Sequence, residues 1–106
     1  MYQDDFLLRH IASLIALIVA IIRGERPDEA LDPQLQSVFG LSLGTIDALS
    51  AEALVGLVPP EDPRGPTRLE GLASVLDALA AQELESALSR QRRAKAARIR
   101  ELSAIR

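Results

Sequence analysis

One stretch has residue types and spacing that match a catalytic motif. Gly40-Leu41-Ser42-Leu43-Gly44 fits the G-x-S-x-G nucleophile elbow of serine hydrolases. That elbow needs a strand before the serine, a helix after it, and an acid and a histidine later in the chain. No strand pattern precedes Ser42, and the single histidine, His10, lies upstream. We interpret the stretch as a helix–loop–helix turn and predict that the protein is not an enzyme.

The acidic connector 25–32 holds the only other cluster of candidate ligands. Its four acids are Glu25, Asp28, Glu29 and Asp32. They lack the spacing of a calcium loop, and a chain without cysteine and with one histidine offers no zinc set. We predict no bound metal and no cofactor. The connector is interpreted as a solvated loop, or as a docking patch for the basic C-terminus, and His10 as a boundary residue rather than a pH-sensitive interface group.

The two ends of the chain differ in charge. Residues 1–85 carry 14 acids and 5 bases, whereas residues 86–106 carry 7 bases and Glu101 as the one acid. The candidate polyanion-binding residues are Arg90, Arg92, Arg93, Lys95, Arg98 and Arg100. On a helix they spread around most of the circumference, and no aromatic residue lies among them to stack on a base. We favour a solvated or intersubunit face, with nucleic-acid binding as the alternative.

The N-terminal segment is the element around which the chain must fold. Residues 11–22 contain no charge and lie between Arg9 and Arg23. Two apolar seams with helical spacing run along the segment: Leu7, Ile11, Leu14, Ile18 and Ile21, and one residue on, Leu8, Ala12, Ile15, Val19 and Ile22. We predict a helix over 4–23 that the rest of the chain is too short to cover. A second copy is therefore expected to contact Leu7, Ile11, Leu14, Ile15, Ile18, Ile21 and Ile22.

The remaining elements are predicted from caps and breakers. Asp32 as an N-cap and Gly40 as a stop indicate a short helix over 33–39. Two short helices are expected within 42–58, the second capped by Ser50. A linker with four prolines follows at 59–66. Thr67 and Glu70 then fit a capping box.

The tract 67–106 is either one long helix or a hairpin broken near 81–82, and we favour the hairpin because one helix of that length is unusual. In its second half, one face carries Leu84, Ala87, Leu88, Leu102 and Ile105, but Gln91, Lys95 and Arg98 interrupt it. We therefore expect this face to be partly exposed or to meet an acidic surface.

Composition sets the fold class. The chain has 106 residues, 48% of them hydrophobic and 3% aromatic, so its core is built from aliphatic residues and favours helices. We predict one all-α domain over 1–106, with N-terminal helices in 1–58, the linker 59–66 and a C-terminal helical segment in 67–106. The expected architecture is a small bundle of four to six helices around the apolar N-terminal helix.

A membrane span is the competing interpretation of the N-terminal segment. The apolar stretch 6–22 has seventeen residues and includes Arg9 and His10, whereas a span needs about 20 apolar residues. Membrane association therefore stays a second alternative. The lack of cysteine fits a cytoplasmic setting.

Two parts of the chain carry a resemblance. Tyr2-x-x-Asp5-Phe6-x-x-Arg9-x-Ile11-x-x-Leu14 resembles the start of a group of small, uncharacterised bacterial helical proteins. Residues 69–102 resemble one degenerate tetratricopeptide unit, without its turn glycine and aromatic knobs; the matching positions are Leu72, Leu79, Ala87 and Ala94. One unit cannot form a solenoid. The resemblance implies a helical, protein-contacting module. Our leading hypothesis is a homo-oligomeric scaffold or adaptor whose partner is itself or another protein.

Overall fold

The computed structural model describes the backbone of residues 2–82 and 86–106 and the side chains of 6–82 and 86–106. Within these ranges the chain forms six α-helices and no strand. They are α1 Tyr2–Ile22, α2 Leu31–Phe39, α3 Leu43–Ala48, α4 Ala51–Gly56, α5 Gly65–Ala80 and α6 Ala87–Ala104. A short 3₁₀ turn, Asp28–Ala30, precedes α2. The predicted all-α class is confirmed.

The end of α1 is set by Gly24. Its φ of 76° lies in the left-handed region that glycine adopts at little cost. The Gly24 amide donates to the Ile21 carbonyl at 3.0 Å, and the Glu25 amide donates to the Ala20 carbonyl at 2.8 Å. This pair of bonds is the Schellman motif, so the predicted glycine stop is confirmed.

The short helices use polar caps, one of them in an unexpected place. Ser50 accepts a hydrogen bond from the Ala53 amide at 3.0 Å, as predicted. Asp32 was predicted to cap its own helix, but α2 begins at Leu31. The Asp32 carboxylate instead accepts from the Leu43 amide at 2.8 Å and caps α3. Asp32 therefore joins the starts of two helices, which sequence spacing alone does not reveal.

The C-terminal tract is a helical hairpin. Helix α5 ends at Ala80 and α6 begins at Ala87, with the Ser86 hydroxyl accepting from the Ser89 amide at 3.0 Å. The preferred hairpin is therefore confirmed. The capping box is wrong, because α5 begins at Gly65 with Pro66 in its first turn. The predicted position Leu84 lies outside the described residues.

One hydrophobic core joins both sides of the linker. Helix α5 packs against α1 and α6, and α4 packs against α6. The first seam of α1 faces this core: Leu14 and Ile18 are almost fully buried, and Leu7 and Ile11 are 8% and 6% exposed. The prediction that Leu7, Ile11, Leu14 and Ile18 contact a second copy is therefore wrong. Those four side chains are not available to a second copy in this fold.

Gly71 explains why α1 and α5 approach so closely. A Cβ at this position would lie 2.4 Å from the Cδ1 atom of Ile11. The missing side chain therefore admits Ile11 into the surface of α5, which is how a short chain buries the first seam. Among the described residues, no helix has the length and apolar character needed to cross a bilayer.

Candidate interaction face

The second seam of α1 remains at the surface. Leu8 is 53% exposed, and Val19 and Ile22 are 37% and 38% exposed. Ala12 between them is exposed, and Ile15 is half-buried. We call these five residues the outer face of α1. Of the residues predicted to meet a second copy, Ile15 and Ile22 lie on this face, and Ile21 is half-buried against the core.

A groove adjoins each end of the outer face. Beside Leu8, a groove of about 350 Å³ lies between α1 and α5, bordered by Pro66 and Glu70. Beside Ile22, a cavity of about 310 Å³ extends under Leu79 to Leu88. The outer face is therefore continuous with apolar surface beyond α1.

Charged residues mark the ends of the outer face. Arg9, which follows Leu8 on α1, and Arg23, the residue after the end of α1, are both exposed. Glu70 lines the groove at the Leu8 end, and Asp28 lines the cavity at the Ile22 end. An apolar strip with both charge signs at its margins has the composition of a protein-binding surface with a polar rim.

The basic helix α6 binds its own chain. Arg92 is 8% exposed and forms a bidentate pair with Asp47, at 3.0 Å from Nε to Oδ1 and 2.7 Å from Nη2 to Oδ2. The Lys95 ammonium donates to the carbonyls of Ile46 and Asp47 at 2.9 and 3.0 Å. These carbonyls end α3, where a cation also offsets the helix dipole. Desolvation lowers the pKa of Lys95, against the attraction of Asp47, while the charge of Arg92 lowers it further.

Further along α6, exposed cations pair with neighbouring acids. Arg98 lies 3.4 Å from Glu52 and 3.3 Å from Glu101. Arg100 lies 3.1 Å from Glu70 and 2.6 Å from Asp77, and hydrogen bonds to these two acids raise its pKa.

Arg90 and Arg93 also make contacts of their own. The ion pairs seen for Arg92, Arg98 and Arg100 therefore reach acids on α3, α4, α5 and α6. They do not reach the acidic connector, for which docking of the basic C-terminus was the alternative to a solvated loop.

The face of α6 that carries Leu88, Leu102 and Ile105 is partly exposed, as predicted: Leu88 is 43% and Ile105 80% exposed, and Leu102 is half-buried. The buried side chains of α6 are Ser89, Arg92, Ala96 and Ile99. The buried face therefore contains a charged and a hydroxyl residue, which hydrophobic periodicity does not reveal. Arg92 is buried because it pairs with Asp47, and the residue spacing in the sequence does not show which upstream acid Arg92 would meet.

The remaining candidate residues have structural roles or lie at the surface. The Ser42 hydroxyl accepts from the Thr45 amide at 3.2 Å and N-caps α3, which confirms the helix–loop–helix turn. His10 is exposed, and its ring meets the Phe6 ring edge-on at 5.3 Å between centroids. Across residues 6–82 and 86–106, no group of three or more potential ligands is placed to hold a metal ion.

Comparison of the chain with protein-family models, with curated proteins and with solved structures finds no match in any of the three. The functional argument therefore depends on the surfaces described above.

Proposed function

We propose that this protein is a non-catalytic helical module that self-associates through the outer face of α1 and acts as a scaffold or adaptor. The observation that carries the proposal is the exposure of Leu8, Val19 and Ile22 on a helix whose neighbouring seam is already buried. Covering large aliphatic side chains is worth about 1.5–3 kcal/mol each when burial is complete. Burying this uncharged strip against another protein surface is therefore favourable in free energy.

The size of the outer face predicts a weak or transient complex. Helix α1 has 21 residues, which corresponds to about 32 Å of helix. A single helix–helix contact of that length falls short of the roughly 800 Å² per partner of a standard interface. Contacts from the two flanking grooves would have to supplement it. We therefore expect a dissociation constant in the micromolar range or weaker.

A sequence resemblance agrees with an interaction role. Residues 69–102 resemble one degenerate tetratricopeptide unit, and a lone unit has no neighbouring repeat to stack on. A cytoplasmic location is part of the proposal, because nothing in a cysteine-free chain depends on an oxidising compartment.

Sedimentation equilibrium over about 1 µM to 1 mM tests the proposal. We expect a concentration-dependent rise from monomer to oligomer. Val19→Glu places like charges together in the complex and is expected to weaken association at least about tenfold. Leu57→Glu is the matched control, because Leu57, the residue after α4, is 56% exposed and is not part of the outer face. A monomer at every concentration, or equal weakening by both variants, would contradict the proposal.

A further inference from the structure

A separate cavity opens where α1, α2 and the start of α5 meet. Its volume is about 330 Å³, at the lower end of the range for small-molecule sites. Phe6 and Val38 form an apolar wall, and the polar wall consists of His10, Ser37, Arg64 and Arg68. A few convergent polar groups beside an apolar wall are what orient a small ligand in known sites.

The two guanidinium groups give the cavity a positive bias. Arg68 lies 3.5 Å from the Asp62 carboxylate and donates to the Val38 carbonyl at 3.5 Å, so both of its contacts are long. Arg64 donates through its backbone amide to Asp62 at 2.9 Å. Within the described residues the Arg64 guanidinium has no partner. Among the residues whose side chains are described, two cations here face one carboxylate, so a further anion would be matched in charge.

The apolar wall indicates what that anion is attached to. Phe6 is 62% exposed, one of three aromatic residues in the chain. Its ring meets the His10 ring edge-on and also lines the cavity. Such a ring pairs with an aromatic or aliphatic group by offset stacking or edge contact.

We propose that this cavity binds a small organic carboxylate with an aromatic or aliphatic body, the carboxylate at Arg64 and Arg68 and the body against Phe6 and Val38. Guanidinium groups suit this ligand because their planar donor pair matches the two carboxylate oxygens. The site lies on the opposite side of α1 from the outer face and does not depend on self-association.

Amide chemical shifts of the full chain, titrated with phenylacetate, test the site. We expect saturable shifts around Ser37, Arg64 and Arg68 with a dissociation constant of about 1 mM. Phenylacetamide, which lacks the charge, and acetate, which lacks the ring, are each expected to bind at least about tenfold more weakly. N-acetylphenylalanine carries the same groups on a peptide-like frame, and tighter binding than phenylacetate would identify a chain terminus rather than a free acid as the source.

Arg64→Gln is expected to weaken phenylacetate binding about tenfold and to leave the melting temperature nearly unchanged, because the Arg64 guanidinium has no hydrogen-bond or ion-pair partner among the described residues. Arg26→Gln, in the exposed connector, is the matched control and should change nothing. The proposal is overturned if phenylacetate gives no saturable shift at about 20 mM. Equal binding of phenylacetamide, or of the Arg64→Gln and Arg26→Gln variants, would overturn it too.

Discussion

The contact between Gly71 and Ile11 makes a sharp prediction about stability. Replacing glycine with alanine inside an exposed helix normally stabilises it by up to about 1 kcal/mol. At Gly71 the new Cβ would lie 2.4 Å from the Cδ1 atom of Ile11 and 3.0 Å from its Cγ1 atom. In Gly71→Ala, the higher helix propensity of alanine stabilises the fold and overpacking against Ile11 destabilises it.

The geometry indicates that overpacking outweighs the gain in helix propensity. Rotation about χ2 of Ile11 relieves the contact with Cδ1, but it leaves Cγ1 where it is. A β-branched residue in a helix has one strongly preferred χ1 rotamer, and Ile11 is 6% exposed, so it has little room to move. Overpacking of a core costs about 1–3 kcal/mol. We expect Gly71→Ala to lower the free energy of unfolding by about 1–2 kcal/mol net.

Urea denaturation followed by circular dichroism, at one fixed low protein concentration, measures this change. Gly56→Ala is the matched control: nothing lies within 4 Å of a Cβ there, and we expect an unchanged or slightly higher stability. Ile11→Val removes the Cδ1 atom and should cost about 0.5–1.5 kcal/mol alone. Combined with Gly71→Ala it should cost less than the sum, by at least about 0.5 kcal/mol. A Gly71→Ala variant as stable as wild type, or a strictly additive double variant, would refute the reasoning.

Two further predictions concern the contact between α3 and α6. Asp47→Ala leaves the nearly buried Arg92 without its carboxylate and should lower the free energy of unfolding by about 2 kcal/mol or more. Glu101→Ala breaks the exposed pair with Arg98 and should lower it by less than about 0.5 kcal/mol. Urea denaturation of the two variants measures both changes, and equal losses of stability would argue against the buried pair. The folded pKa of Lys95 is lowered from its ordinary value of 10.5, so between those two values the unfolded chain binds more protons and this group makes stability rise with pH. Lys95→Gln should remove that contribution from stability measured across the window, and an unchanged pH slope would contradict the desolvation of Lys95.

The parts of the fold that sequence predicted are those set by neighbouring residues. Gly24, Gly40 and Ser50 act within one turn of where they stand, and each ends or begins a helix as expected. The prediction for Asp32 was wrong because its carboxylate can reach the starts of two helices. It caps α3, which begins eleven positions further along the chain, and not α2.

The coverage of α1 could not be predicted because it depends on how closely two helices approach. Gly71 lies 60 positions from Ile11, and nothing local indicates that its missing side chain accommodates that isoleucine. The seam Leu7, Ile11, Leu14 and Ile18 was therefore assigned to a partner when the chain covers it alone.

The buried face of α6 could not be predicted, for a related reason. Arg92 is buried through Asp47, which lies 45 positions away, so a charged residue occupies a core position. Hydrophobic periodicity assigns such a residue to the surface. A buried ion pair is visible only after both helices are placed.

The most direct test of the central claim is an isotope-filtered NOE experiment on an equal mixture of labelled and unlabelled chains. It should be done at a concentration where sedimentation shows an oligomer. The proposed interface predicts intermolecular NOEs among the methyl groups of Leu8, Ile15, Val19 and Ile22. Intermolecular NOEs confined to other exposed side chains, such as Leu57 and Ile105, would contradict the outer face of α1 as the site of self-association.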